Sequence, residues 1–171
     1  MLDLAVLALV AVAILLPRPD VIVQPGLKLD DEALLRVAEL EATLSAQPGA
    51  VEPTLELTDL YLKAHRPDWA LPSLGEAISR APKDHRLHQR RAMALAEHFE
   101  ASPAFAAVDQ ALTLCLAGSS APCSDTEKAR LQLLHRTLKS VDGLDMRQDP
   151  DAARVRIMQA LRPTYIPPAK K

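Results

Sequence analysis

The feature that most narrows the fold of this chain is a spacing. Ala70, Leu74 and Ala77 return 34 residues later as Ala104, Val108 and Ala111, so the pattern Ala-x-x-x-apolar-x-x-Ala occurs twice in step. Residues four and seven apart share one face of an α-helix. Alanines at both ends of that face let a second helix come close, because nothing beyond Cβ stands between the two backbones. Each copy is preceded by apolar residues at helical spacing, Leu57 and Tyr61 in the first and Ala92 and Leu95 in the second. The spacing therefore predicts two helical hairpins between Val51 and Leu114. Composition agrees: with 49% hydrophobic but only 3% aromatic residues, the core must be built from Leu, Ala, Val and Ile, which suits close helix packing better than a sheet sandwich.

Local signals place the helices. The first hairpin is read from about Glu52 to Ala64 and from Asp68 to Ala81, with Pro82 closing it and Pro72 in a first turn, where a missing N–H is tolerated. The second runs from about Arg86 to His98 and from Ser102 to Leu116, with Ser102 as N-cap and Pro103 at the first helical position. Upstream, Asp30 caps a helix to about Ala46 that carries Leu34, Val37, Leu40 and Leu44 near one face and covers the first hairpin. Downstream, Ser124-Asp-Thr-Glu127 reads as a capping box opening a helix to about Val141. Asp149-Pro150 starts a last helix in which Ala153, Ile157 and Ala160 repeat the small-residue signature 49 residues after Ala104.

The period and these alanine positions resemble the tetratricopeptide repeat, whose unit is about 34 residues. Thr54 and Thr58 stand where that family usually carries Trp and a small residue. The resemblance implies an all-α fold of antiparallel helical hairpins stacked as a short solenoid, and a role in holding another polypeptide. It divides the chain into a hydrophobic N-terminal segment (1–20), a connector with a packing helix (21–50), two repeats (51–118), a degenerate C-terminal hairpin (119–162) and an extended tail (163–171).

Residues 2–16 are almost wholly apolar, with no charged side chain from Leu4 to Leu16. As a helix, residues 4–16 would rise about 20 Å, against a hydrocarbon core of about 30 Å. A cleaved signal peptide would call for a basic start, where Asp3 stands, and for an Ala-x-Ala site after Leu16. A soluble buried helix would normally keep a polar stripe. An uncleaved anchor, tilted or packed against other membrane helices, fits best, with cleaved signal and buried helix as the alternatives.

In the family resembled, the first helix of each hairpin lines a concave groove. Carried over, this implies a partner-binding groove of Asp59, Lys63, Arg86, Gln89, Arg90 and Met93. Between Arg80 and Arg91 five cations, Arg80, Lys83, Arg86, Arg90 and Arg91, stand against the single anion Asp84, which reads either as a solvated face or as a site for an acidic peptide. The net charge of −2 lacks the basic footprint of a nucleic-acid binder. Cys115 and Cys123 are close enough to bridge around the loop from Leu116 to Pro122, or they stand as two free thiols. A bridge would be worth about 2.6 kcal/mol by loop closure and would point to an oxidising compartment. His85 and His88, three apart with no third ligand suitably spaced, are expected to face solvent or a partner rather than a metal. No phosphate loop, nucleophile elbow or paired-cysteine redox motif occurs, so neither catalysis nor a cofactor is expected.

The expected function is a membrane-tethered protein–protein interaction scaffold, an assembly factor or accessory subunit of a bacterial envelope complex. It would sit on the inner membrane through residues 2–16, with the repeats on the periplasmic rather than the cytoplasmic side. Its partners would be other proteins, either membrane-complex subunits or an acidic peptide segment, and not nucleic acid. The alternative is a soluble cytoplasmic adaptor whose first helix is buried in its own fold or in a dimer.

Overall fold

The computed structural model describes Leu27 and residues 29–161; the expected anchor over 1–20 and the tail over 163–171 lie outside them. Asp30 folds its carboxylate back onto the Ala33 N–H at 2.8 Å and opens α1, Asp31–Ala46. Two hairpins follow, α2 (Val51–Lys63) with α3 (Pro67–Arg80), and α4 (His85–Glu97) with α5 (Ala101–Ala117). Ser124 Oγ accepts from the Glu127 N–H while the Glu127 carboxylate accepts from the Ser124 N–H, and this reciprocal cap starts α6, Asp125–Val141. Asp149 then accepts from the Ala152 N–H at 3.1 Å at the start of α7, Pro150–Leu161. The described residues are all-helical, seven packed helices without a strand, and none of these helices is long and apolar enough to cross a membrane.

The chain repeats at the level of backbone hydrogen bonds. Helices α2 and α4 are both 13 residues long and begin 34 residues apart. At the end of α2 the Arg66 N–H reaches back to the Tyr61 carbonyl (2.8 Å) and the His65 N–H to that of Leu62 (2.9 Å). At the end of α4 the Glu100 N–H bonds the Leu95 carbonyl (2.8 Å) and the Phe99 N–H that of Ala96 (3.0 Å). Both pairs form a Schellman turn, which needs one left-handed residue and usually takes glycine there. Here His65 (φ 56°) and Phe99 (φ 66°) fill it.

The exits of α1 and α3 match in the same way. The Gln47 and Ala81 N–H groups bond the Thr43 and Ala77 carbonyls, both at 2.8 Å, and the Ala50 and Asp84 N–H groups bond the Gln47 and Ala81 carbonyls, both at 3.2 Å. Helix α1 therefore occupies the place of a second helix one period upstream of α3. Its lack of repeat alanines suggested only a covering helix; at the equivalent places it carries Arg36 and Thr43, which are exposed, so its outer face ends the stack.

Each helix packs on the next in the chain, and α2 also packs on α4. Helix α6 does not pack on α4 as α4 does on α2, so the third hairpin meets the stack mainly through α5, with the Arg147 side chain of the α6–α7 turn also donating to the His98 carbonyl at the end of α4 at 2.8 Å. Ala70, Leu74, Ala77, Ala92, Ala104, Val108 and Ala111 have no exposed surface; Leu57, Tyr61, Leu95 and Ala153 are buried, while Ile157 and Ala160 are half-buried. The core forms two clusters. In one, Val37 and Leu40 of α1 meet Leu57, Leu74 and two residues of α4, Leu87 and Ala94. In the other, Ala92 and Leu95 from another face of α4 meet Val108, Leu131, Val141 and Ala153.

Two helix starts differ from the sequence expectation. Ser102 does not cap α5: the tight turn delivers the chain into the helix at Ala101, with Glu100 as the cap residue, and Ser102 Oγ instead accepts from the Gly143 N–H at 3.2 Å. Helix α3 starts at Pro67, so Pro72 lies inside it and deprives the Asp68 carbonyl of its helical donor. Asp68 is exposed, where solvent can replace that bond.

Ala104→Leu should lower the unfolding free energy in urea titrations by about 1–3 kcal/mol, because the added methylenes have no room at the helix crossing. Ala106→Leu, on the exposed face of the same helix, should change it by less than about 0.5 kcal/mol. Phe99→Gly should raise stability by about 1 kcal/mol, since Phe99 is 53% exposed and a left-handed backbone is unfavourable for any side chain. A loss of stability in that variant would mean that the ring's contacts outweigh the strain.

Candidate protein-binding cleft

Stacking α2 on α4 sets two polar columns side by side. Glu52, Glu56 and Asp59 follow one face of α2, and Arg86, Gln89 and Arg90 one face of α4. With Leu55 as an apolar floor, and Glu127 and Arg130 from the start of α6 as a third wall, they line a cleft of about 430 Å³. The pairing across it is specific. Arg90 forks onto Asp59, with Nη2 to Oδ2 at 2.9 Å. Arg86 bonds Glu52 and Asp84, both at 2.8 Å. Behind the cleft, Arg36 of α1 forks onto Glu56 at 2.6 and 2.7 Å.

These bonds set the charge states. Hydrogen bonding from Arg36 holds the Glu56 carboxyl below its usual range. Burial pushes the Asp84 carboxyl up, but bonds from the Arg86 side chain and backbone outweigh it and the net direction is down. Asp84 is buried, but the pairs of Arg36 with Glu56, Arg86 with Glu52 and Arg90 with Asp59 lie at the surface, where such a pair contributes about 0–1 kcal/mol, so they order the cleft's side chains more than they hold the fold.

Of the groove residues expected from sequence, Asp59, Arg86, Gln89 and Arg90 line this cleft. Lys63 and Met93 lie one turn further along α2 and α4, exposed and outside the lining. The basic run is largely neutralised: Arg80 pairs with Glu76 at 2.8 Å and passes across Gly49, where a Cβ would collide with its Cδ. The lining itself holds four carboxylates against three guanidinium groups.

Beside the cleft, the loop between α5 and α6 is closed by a disulfide from Cys115 to Cys123, with their Cα atoms 5.4 Å apart. Ser119 in this loop donates to the Lys83 carbonyl at 2.9 Å and meets His85 Nδ1 at 2.9 Å and its backbone N–H at 3.2 Å. A hydroxyl has one hydrogen; with it given to Lys83, His85 Nδ1 must carry the proton. His85 Nε2 is then a lone pair buried without a partner.

The expectation that His85 and His88 face solvent or a partner is therefore corrected. The loop roofs the first turn of α4, leaving His85 with no exposed surface, and His88 at 9% gives its Nε2–H to the Pro82 carbonyl at 3.0 Å. Ser119 was the residue missed, and nothing in its local sequence marks it apart from any loop serine. No group of His, Cys, Asp or Glu among the described residues is placed to hold a metal ion.

Burial lowers the His85 pKa below its ordinary 6.5, against the attraction of Asp84. A base whose folded pKa is depressed gives stability that is complete above its unfolded pKa and is lost as pH falls below it. The urea midpoint should accordingly drop between pH 7 and pH 5, and His85→Asn, whose amide can still donate to Ser119, should flatten that slope. An unchanged slope would assign the effect to other groups. No family model, curated protein or solved structure matches the chain.

Proposed function

We propose that the chain is a tetratricopeptide-like helical-repeat scaffold that holds another protein in the cleft formed by α2, α4 and the start of α6. The observation that carries this reading is the return of the same backbone hydrogen bonds after 34 residues, at the exits of α1 and α3 and again at those of α2 and α4. A chain built this way stacks its first helices along one side and leaves their polar faces free for a guest. Because the lining has both signs of charge, it suits a guest segment that carries both rather than a uniformly acidic one.

The apolar run from Leu4 to Leu16 supports a membrane tether, and the disulfide supports an oxidising compartment. Together they favour an accessory subunit or assembly factor of a bacterial envelope complex, anchored in the inner membrane with its repeats on the periplasmic side.

A photo-crosslinking residue at Gln89 should capture a discrete partner in membranes solubilised with mild detergent, whereas one at Ala106, on the outer face of α5, should not. Arg90→Asp, which breaks the pair with Asp59 and reverses the charge, should reduce recovery of that partner about tenfold, equivalent to about 1.4 kcal/mol. Equal capture from both positions, or recovery of the protein alone in the soluble fraction, would overturn the reading.

A further inference from the structure

The disulfide occupies the joint of the stack at which the first helices, α4 and α6, are not closely packed on each other. Where α2 leans on α4, the second hairpin is fixed by side-chain packing. Helix α6 is packed on α5 and lacks comparably close packing on α4, yet its first residues supply Glu127 and Arg130 to the cleft. At the far end of α4 the Arg147 side chain ties the hairpin to the His98 carbonyl at 2.8 Å; at the cleft end the tie is the closed loop. Cys123 immediately precedes Ser124, the cap of α6; Cys115 lies buried in the last turns of α5; and Ser119 pins the loop to the α3–α4 turn through the Lys83 carbonyl and His85. The Ser120 N–H adds a second bond to the same carbonyl at 3.2 Å.

From this arrangement we infer that the Cys115–Cys123 disulfide is a redox latch: when closed it holds the α6–α7 hairpin against the stack and completes the third wall of the cleft, and when opened it releases that wall. The inference rests on the scaffold reading for its consequence, though the latch itself does not. The chemistry is thiol–disulfide exchange with a dithiol reductant. Its thiolate attacks Sγ of Cys123, the less buried of the two residues. The S–S bond breaks, Cys115 leaves as a thiolate and takes a proton, and the second thiol of the reductant displaces Cys123 from the mixed disulfide. Two electrons and two protons pass to the protein, and the reductant ends as a disulfide.

Hydrogen exchange on the full chain tests this, comparing the oxidised protein, the protein reduced with dithiothreitol, Cys123→Ser, and Ser119→Ala with its disulfide intact. Reduction and Cys123→Ser should speed exchange at least tenfold in residues 116–130 and leave residues 51–80 within about twofold of the oxidised protein, and Ser119→Ala should show the same pattern more weakly. Unchanged exchange over 116–130, or a uniform increase across 51–161, would overturn the latch, the second because the bridge would then merely stabilise the whole fold. Partner capture from Gln89 should fall at least fivefold on reduction, and equal capture in both redox states would overturn its control of the cleft. Failure to capture a partner in either state would count against the scaffold reading alone, leaving the exchange result to decide the latch.

Discussion

Close approach of helices at side chains that end at Cβ is the constraint from which the rest of the structure follows. Ala70 and Ala77 in α3, and Ala104 and Ala111 in α5, have no exposed surface and no bulk with which to push a neighbour away. Helices that lie so near each other leave little room for a connection. Only residues 64–66 join α2 to α3, and residues 98–100 join α4 to α5. A reversal that short is closed by a left-handed residue, which explains why His65 and Phe99 adopt a backbone conformation that ordinarily belongs to glycine. Burial of alanine faces and turn strain are thus two sides of one arrangement.

The same tightness shapes the polar surface. With α2 and α4 parallel and adjacent, side chains at equivalent positions in successive units face each other, as Glu52 and Arg86 do. The acidic column on α2 is consequently answered by arginines from both neighbours, Arg36 on one side and Arg86 and Arg90 on the other. These pairs order the side chains of both helices.

The period of the fold was legible because alanine at a helix crossing is a packing requirement written directly into composition, and Ala70, Ala104 and Ala153 are all buried. The capping boundaries set by Asp30, Ser124 and Asp149 were legible too, whereas Ser102, with the same kind of side chain, lies inside α5 and bonds the distant Gly143 N–H instead. Less visible were features that depend on distant parts of the chain. Histidine and phenylalanine do not announce a left-handed turn, and α1 does not announce its equivalence to α3, because that equivalence lies in backbone bonds rather than side-chain types. Four of the six groove residues share the cleft while Lys63 and Met93 do not, since helical phase told which face they occupy but not how far along the axis the cleft extends. His85 is covered by a loop more than thirty residues away, and His88 is drawn to the Pro82 carbonyl, neither of which their neighbours in sequence reveal.

Helix α4 is a wall common to both apolar clusters. Leu87 and Ala94 belong to one, Ala92 and Leu95 to the other. A break on either side of it would strip one cluster of its lining, so neither fragment would retain an intact interior. Although its architecture is modular, the protein should resist dissection into autonomous modules, and loosening of this single helix would be felt at both ends of the molecule at once.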